Sequence, residues 1–392
     1  MRIRLQRWAM YAAAAVLLFG LAIATPIRRL LADPIAEPAA MDRPAAEDRP
    51  VADRNADQPA VPLGDGQAVR LSDDYAEAAK PGSIRSLFSW RGLSRAVLLG
   101  LICWLLAVIM ITTVQRKLVF VGQTAFRNVD LSIQSTHWDP RRLREVQIAT
   151  HDGLTLNGWL ALAEPSSLDN TAAIAQSDRP LVVYFGGNAG TRKMRLYSFG
   201  QLTDIGCDVL IVDYRSFADN PGRPSETAFL ADARTIVDYA REDLGCPIER
   251  LVLCGESLGG GVATATAANL CEDGLVPGGL LLRSTFASLT ETAGYHYPFL
   301  PVSMLLIDRF ESDARIAAVR CPILQLHGDE DVVVPIEHGR RLHGLAPAQS
   351  DSGVAKRFVE LPGAGHNNVL RTSAGRVREQ IADWLQAIEL MK

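Results

Sequence analysis

The sequence predicts an α/β fold, with a mostly parallel eight-stranded sheet covered by helices on both faces and N-terminal membrane segments before it. Two observations predict the sheet. From about residue 118 onward, short apolar runs alternate with stretches of helical periodicity. The later runs are rich in β-branched residues, as in strands that are buried on both faces. Two long apolar stretches near the N-terminus predict the membrane segments.

The first apolar stretch, residues 9–27, follows three arginines. One interpretation is a secretory signal, with small residues at 22–24 as its cleavage site. The other is an uncleaved span, because about 19 apolar residues nearly cross a bilayer core. Residues 1–31 are therefore interpreted as a signal peptide or a first transmembrane segment.

The second apolar stretch, residues 96–114, contains neither charge nor proline and has basic residues on both sides. A helix of this length reaches about 28 Å. The alternative is a buried core helix, which rarely stays apolar on every side for so long. We therefore predict a transmembrane helix here. Residues 32–66 are rich in Ala, Pro and Asp and lack aromatics, so we predict a disordered linker over 32–95.

Composition excludes some classes of function. The net charge is −4 and no basic block stands out, so no nucleic-acid partner is expected. The six cysteines are scattered without a CxxC pair, so neither a metal site nor a disulfide framework is indicated. This cysteine usage favours a reducing compartment for the folded domain, which we place at residues 118–392.

The candidate elements follow one another in a regular order. The predicted strands are 145–150, 154–162, 180–186, 208–214, 250–255, 279–284, 322–328 and 357–363. The predicted helices are 226–243, 258–271, 337–346 and 374–390. The first two strands form a hairpin across a His-Asp-Gly turn. The later alternation of strand and helix implies right-handed crossovers, and ligands then collect at the carboxyl ends of the strands.

A G-x-S-x-G motif, Gly255 to Gly259, comes directly after a predicted strand and directly before a predicted helix. In that context the motif is a nucleophile elbow, which exposes the Ser257 hydroxyl at the tip of a sharp turn. Gly255 and Gly259 let the strand and the helix approach each other. The alternative for the motif alone is an ordinary glycine-rich turn.

A serine hydroxyl needs a base. His366 is the candidate because it lies in the loop between the last predicted strand and the final helix, whereas the other histidines lie on helices, within a strand or away from the relevant strand ends. The orienting acid should come between Ser and His in the chain. We favour Asp331 and keep Asp329 as the second candidate; a solvated acidic turn is the alternative.

The developing oxyanion needs two N–H donors. One is predicted to be the amide of Leu258, which follows the nucleophile. The other is predicted in the small-residue loop Gly187-Asn188-Ala189, with the Asn188 amide as the candidate. Four such elements, each after a different strand and in the right order, predict a serine hydrolase that needs no metal and no cofactor.

These residues resemble the α/β-hydrolase superfamily, and more closely its membrane-anchored abhydrolase-domain branch, which is similar to the bud-emergence hydrolases. The resemblance covers about residues 105–392. Its motifs lie at 115–122, 185–190, 213–226, 255–260, 283–289, 321–335 and 363–368. The chain departs from the family's usual pattern at Gly186, where a histidine is usual, and at Ser216, where a glycine is usual; Asn220 lies near a usual Ser or Thr.

The resemblance implies an α/β-hydrolase fold and hydrolysis of an ester, thioester or amide, with acyl-lipid or acyl-protein substrates favoured. It carries over Ser257 as nucleophile, Asp331 as acid and His366 as base, with the Leu258 and Asn188 amides at the oxyanion. The alternatives are a non-catalytic interaction domain and a serine peptidase. Residues 286–312 are interpreted as a short apolar lid, or else as packing against the sheet.

The expected partners are an acyl substrate and the lipid bilayer, with the catalytic domain on the cytoplasmic side. Arginines before the first apolar stretch and the basic residues after the second one predict that side if both stretches span. A cleaved first stretch predicts the same side. The sequence does not set the oligomeric state.

Overall fold

The computed structural model of the chain describes residues 90–121 and 141–391. The predicted N-terminal segment 1–31 and most of the predicted linker 32–95 lie outside the described residues. Of the described residues, those up to Ala107 belong to one compact unit and those from Val108 onward to another.

One helix, α1, runs from Trp90 to Val119. Within the described residues it is the one helix long and apolar enough to cross a membrane, and the side chains of its apolar window are not buried. It extends past both ends of the predicted span 96–114. The predicted span ends where charged residues begin, because charges are unfavourable in the bilayer core. The helix continues because residues such as Arg116 and Lys117 have high helix propensity.

Eight strands form one sheet, one at each of the eight predicted places. They are β1 (Leu143–Ala149), β2 (Thr155–Ala161), β3 (Leu181–Phe185), β4 (Asp208–Val212), β5 (Leu251–Glu256), β6 (Gly279–Arg283), β7 (Ile323–Gly328) and β8 (Arg357–Leu361). Their order across the sheet is β1-β2-β4-β3-β5-β6-β7-β8. The pairs β1–β2 and β2–β4 are antiparallel and the remaining pairs are parallel. The predicted fold class is confirmed.

Nine α-helices besides α1, together with a few short 3-10 turns, lie in the described part of the chain. They are α2 (Asn170–Ala175), α3 (Leu196–Thr203), α4 (Glu226–Asp238), α5 (Leu258–Glu272), α6 (Leu289–His296), α7 (Val302–Leu305), α8 (Ser312–Arg315), α9 (Ile336–Leu345) and α10 (Val369–Ala387). The helix predicted over 226–243 is α4 followed by a π-helical turn, Tyr239–Asp243. The final helix begins five residues before the predicted start, with a kink at Ser373.

Two apolar clusters cover the two faces of the sheet. On one face α3 and α10 pack against the strands through residues such as Phe199 and Trp384, both 0–1% exposed. On the other face α4, α5 and α9 do the same, with Phe229 and Val262 fully buried. Burial on both faces explains why β3, and β4 after its first residue Asp208, are continuously apolar rather than alternating. The loops at the carboxyl ends of the parallel strands carry the candidate site.

Candidate active site

Ser257 occupies the turn between β5 and α5 in a conformation that residues with a side chain seldom adopt. Its φ is 52° and its ψ is −115°. Such backbone strain persists only when the surroundings enforce it. Here the Ser257 N–H donates to the carbonyl of Arg283 at 2.9 Å, and the Thr285 hydroxyl donates to the Ser257 carbonyl at 2.9 Å. The turn therefore holds the Ser257 side chain at its tip.

The glycines around Ser257 are required by close backbone approach. A Cβ at Gly255 would lie 2.5 Å from the Cα of Gly260, and a Cβ at Gly259 would lie 2.6 Å from the carbonyl oxygen of Gly186. Real Cβ atoms do not approach other atoms so closely. The predicted role of Gly255 and Gly259, to let strand and helix meet, matches this geometry.

The loops after β7 and β8 bring Asp331 and His366 to Ser257. His366 Nε2 lies 3.0 Å from Ser257 Oγ, and His366 Nδ1 lies 2.7 Å from Asp331 Oδ2. The other carboxylate oxygen of Asp331 accepts the N–H groups of Val333 at 2.9 Å and Val334 at 2.7 Å. The carboxylate is thus fixed on one side by backbone donors and aimed at the imidazole on the other.

Asp329, the second candidate for the acid, lies elsewhere. Its carboxylate accepts the N–H of Gly363 at 2.7 Å and belongs to an exposed turn. Only Glu330 separates Asp329 from Asp331 in the chain, but the two carboxylates bond different partners, Gly363 and His366. Within this acidic triplet, Asp331 is the carboxylate that reaches His366.

The pKa shifts of Asp331 and His366 suit a general base at His366. Burial disfavours the charged carboxylate of Asp331, yet His366 and His327 outweigh it and hold the Asp331 pKa well below its usual range. Burial likewise disfavours a charged His366, but Asp331 raises the His366 pKa above its ordinary value, with a smaller contribution from Glu256. An imidazole of raised pKa accepts a proton readily while a carboxylate steadies the cation that results.

Glu256, the residue before the serine, is a site feature that the sequence analysis missed. Its carboxylate accepts the Tyr184 hydroxyl at 2.5 Å and Arg283 at 2.9 Å, and Arg195 lies 3.4 Å away. Burial by itself would raise the Glu256 pKa. The positive charges of Arg195 and Arg283 outweigh that effect and lower the Glu256 pKa to about 2. The motif gives no signal for this cluster, because its partners come from β3, β6 and the turn before α3.

The predicted oxyanion donors come from two elements that meet near Ser257. Leu258 is the first residue of α5, so its N–H belongs to the first turn, which has no intrahelical acceptor. The loop after β3 is the second element, where a Cβ on Gly187 would lie 3.6 Å from the Ser257 Cβ. In the same loop the Asn188 side-chain amide donates to the carbonyl of Val119 at 3.2 Å. The end of α1 thereby fixes the candidate oxyanion loop.

Gly186, where the family usually has a histidine, is surrounded by the side chains of Tyr214 and Arg195. The Tyr214 hydroxyl donates to the Gly186 carbonyl at 2.9 Å. The Arg195 side chain fills the adjacent space, with its Nε 3.5 Å from the position of a Gly186 Cβ. At the second departure, Ser216 has a φ of 72°. That left-handed conformation explains why a glycine is usual there.

The predicted lid segment, 286–312, divides its aromatic side chains between inside and outside. Phe286 and Phe310 are buried in the core, as the packing interpretation expects. Tyr295 and Phe299, in contrast, are 63% and 85% exposed. The segment also touches the acid loop, because the His296 Nε2 donates to the carbonyl of Val333 at 2.8 Å.

No group of three or more His, Cys, Asp or Glu side chains in residues 90–121 and 141–391 is arranged to hold a metal ion. The six cysteines are all free thiols. The site as described consists of a hydroxyl, an imidazole, a carboxylate and backbone N–H groups, which is the equipment for acyl transfer.

Comparison with known proteins gives concordant results. A family model described as the alpha/beta hydrolase fold matches residues 198–348. Uncharacterized protein Rv2307c of Mycobacterium tuberculosis is 37% identical over 225 residues, which are 57% of this chain and 73% of that protein. Lysophosphatidylserine lipase ABHD12 of Danio rerio is 33% identical over 232 residues, 54% of this chain and 59% of the lipase.

Among solved structures, an alpha-beta hydrolase from Vibrio vulnificus superimposes with a TM-score of 0.56 at 19% sequence identity. The match covers 70% of this chain and 94% of the other. At this identity the likeness concerns the fold. The chain spans about three fifths of the length of the zebrafish lipase.

Proposed function

The chain belongs to the α/β-hydrolase superfamily, in its abhydrolase-domain branch, and we propose that it is a membrane-anchored serine hydrolase that cleaves acyl esters or thioesters. Relatives named as lipases support an ester or lipid substrate. The observation that carries the proposal is the His366 imidazole, which bridges Ser257 Oγ at 3.0 Å and the Asp331 carboxylate at 2.7 Å.

In the proposed reaction the Ser257 oxygen attacks the acyl carbonyl carbon while His366 Nε2 takes the hydroxyl proton. The Leu258 and Asn188 N–H groups stabilise the negative oxygen of the tetrahedral intermediate. The intermediate collapses, the bond to the alcohol or thiol breaks, and His366 gives its proton to that leaving group. Asp331 steadies the imidazolium throughout.

Water completes the cycle. His366 takes a proton from a water molecule whose oxygen attacks the acyl-enzyme, and the second tetrahedral intermediate expels Ser257, which recovers its proton from His366. The products are a carboxylic acid and the alcohol or thiol. Every proton that moves passes through one imidazole, which is why the placement of His366 carries the proposal.

The test is covalent labelling of the full chain in detergent or nanodiscs with a fluorophosphonate probe. We expect the wild-type chain to be labelled, Ser257→Ala to lose the label, and Ser352→Ala, at an exposed serine, to keep it. Labelling that persists in Ser257→Ala contradicts the assignment of the nucleophile. A folded wild-type chain that is never labelled favours the alternative, a non-catalytic interaction domain.

The substrate class is decided by a panel of lysophospholipids, acyl thioesters and peptide amides, assayed with Ser257→Ala as the blank. Lysophosphatidylserine belongs in the panel because the zebrafish relative is named for it. We expect turnover of acyl esters or thioesters. Turnover of peptide amides alone favours the serine peptidase alternative.

We further propose that α1 spans the membrane and that the catalytic domain faces the cytoplasm. Basic residues favour the cytoplasmic side, and the arginines before residues 9–27 together with Arg116 and Lys117 after the second stretch assign both ends of a twice-spanning chain to that side. A reporter fused after Lys392 tests this: a fusion active only outside the cytoplasm contradicts the proposed side.

A further inference from the structure

We propose that four exposed apolar side chains beside the end of α1 form a surface that sits in the boundary between head groups and acyl chains of the membrane that α1 crosses. The lid surface, as we call it, consists of Tyr295, Phe299, Met304 and Ile307. The proposal deepens the proposed function and rests on it in one respect: such a surface lets the site take an acyl substrate directly from the bilayer.

The exposure of these side chains is large for apolar residues. Phe299 is 85% exposed and Met304 is 82% exposed, while Tyr295 and Ile307 are 63% and 56% exposed. Single exposed apolar residues are ordinary, whereas four within thirteen residues of chain are more than scattered exposure accounts for. The question is what covers them.

Hydrogen bonds to α1 indicate how deep the segment that carries Met304 and Ile307 lies relative to the membrane. The apolar stretch of α1 ends at Val114, so Gln115 lies where a spanning helix leaves the acyl chains. The Gln115 side-chain amide donates to the carbonyl of Leu305 at 3.1 Å and accepts the N–H of Ile307 at 2.9 Å. The backbone between Met304 and Ile307 is therefore held at the level of the membrane boundary.

An ion pair and an aromatic contact further join the end of α1 to the lid segment and to the core. Arg116 pairs with Asp308 at 2.7 Å, and Asp308, which is 3% exposed, also accepts the N–H of Glu226 at 2.8 Å. One turn later the fully buried Phe120 ring packs edge-on against Phe229 with centroids 5.0 Å apart. The end of α1 and the segment from Leu305 to Asp308 are thus joined at several points, so the depth of α1 sets the depth of the adjoining Met304 and Ile307.

The charges around the lid surface suit a lipid partner. Lys117 is exposed, and Arg309, which follows the buried Asp308 and pairs with the exposed Glu311 at 3.6 Å, is 44% exposed at its side chain. Cations beside an apolar surface bind anionic lipid head groups. Exposed aromatic rings beside a bilayer core are likewise typical of the interface. This combination favours the bilayer over a second copy of the chain.

The lid surface is connected to the chemistry by a short path. His296, next to Tyr295, donates to the carbonyl of Val333, and the N–H of Val333 in turn donates to Asp331. The part of the lid segment that carries Tyr295 is therefore held against the loop that carries the candidate acid.

The first experiment measures depth without using activity. The full chain is reconstituted in nanodiscs containing anionic lipid, with Cys103→Ala to remove the half-exposed native thiol. Spin labels are attached at Phe299→Cys, at Met304→Cys and, as a control, at Ser352→Cys. We expect labels at 299 and 304 to collide more with oxygen than with a water-soluble nickel complex, and the label at 352 to show the reverse.

Two results overturn the proposal. Labels at 299 and 304 that are as accessible to nickel as the label at 352 place the surface in water. Labels shielded from both reagents place protein over it, either a second copy or residues of the same chain. Because the readout is collision, it stands whether or not the chain hydrolyses esters.

The second experiment tests the route of the substrate. In Phe299→Ser/Met304→Ser, kcat/KM for a long-chain acyl ester in nanodiscs should fall about tenfold, while kcat/KM for a soluble short-chain ester stays unchanged. Both changes are at exposed positions, so the thermal midpoint should be retained. Equal loss on both substrates, or no loss on either, contradicts delivery from the bilayer.

Discussion

At the scale of single residues, the candidate site depends on one imidazole and the groups that orient it. One carboxylate oxygen of Asp331 accepts two backbone N–H groups, and its other oxygen bonds His366. That arrangement selects the tautomer in which Nδ1 carries the proton and leaves Nε2 to accept one from Ser257. A change at Asp331 should therefore affect the rate far more than a change at the neighbouring carboxylate.

The first prediction compares Asp331→Asn with Asp329→Asn. Asp331→Asn should lower kcat by about 10⁴-fold, because the amide presents the wrong partner to His366. Asp329→Asn removes a turn contact to Gly363 and should change kcat less than about tenfold. Both are measured by ester hydrolysis normalised to folded protein. Equal loss in the two variants would contradict the assignment of the acid.

The second prediction concerns pH. The base must be neutral to accept a proton, so kcat/KM rises with pH through the His366 pKa. The negative charge of Glu256 contributes to raising that pKa. In Glu256→Gln the acidic limb of the profile should therefore move to lower pH. Glu164→Gln, at an exposed carboxylate, is the control. An acidic limb that stays in place in Glu256→Gln as well as in Glu164→Gln would rule out the coupling between Glu256 and His366.

At the scale of elements, the strand–turn–helix unit works because β5 and α5 approach more closely than side chains allow. Gly260 faces Thr285, whose hydroxyl is already used to hold the Ser257 carbonyl. Thr285 therefore cannot turn away to make room. The strain at Ser257 and the packing of α5 are two consequences of the same close approach.

The third prediction follows from that packing. Gly260→Ala should destabilise the chain by about 1–3 kcal/mol through overpacking, which corresponds to a fall of about 2–4 °C in the unfolding midpoint per kcal/mol. Gly375→Ala, in α10 with nothing within 4 Å of a new Cβ, should stabilise by about 0.5–1 kcal/mol. Thermal unfolding in detergent tests both, and a stable Gly260→Ala would show that α5 can shift.

At the scale of the whole molecule, the end of α1 is part of the folded domain rather than a loose tether. Between Gln115 and Phe120 it bonds the lid segment, the candidate oxyanion loop and the core. The proposed membrane helix and the candidate oxyanion loop are therefore in direct contact, through the hydrogen bond from the Asn188 side chain to the Val119 carbonyl.

The fourth prediction tests this link through the Arg116–Asp308 pair. Arg116→Ala should lower stability by about 1–3 kcal/mol, because Asp308 is buried and loses its charged partner. In the Arg116→Ala background, Asp308→Asn should then lower the free energy of unfolding by less than it does in the wild-type chain, as expected of residues in contact. Arg371→Ala, at an exposed arginine of α10, is the control. Strictly additive effects would mean that the pair is not coupled.

Much of this architecture can be predicted from the chain. The eight strands and their mostly parallel order follow from local patterns, since burial on both faces leaves apolar runs that end in turn residues. Helix α3 escapes prediction because it is short and contains Gly200. The start of α10 escapes because a kink at Ser373 interrupts its periodicity.

By itself the sequence determined the fold class, the strand–turn–helix context of Ser257 and the order Ser257, Asp331, His366, because each depends on neighbours in the chain. Only the tertiary structure decided that Asp331 rather than Asp329 reaches His366, that Glu256 joins Arg195 and Arg283, and that Phe299 faces outward. Those contacts join residues far apart in the chain, and their geometry is set by how crossovers and loops fold onto the sheet.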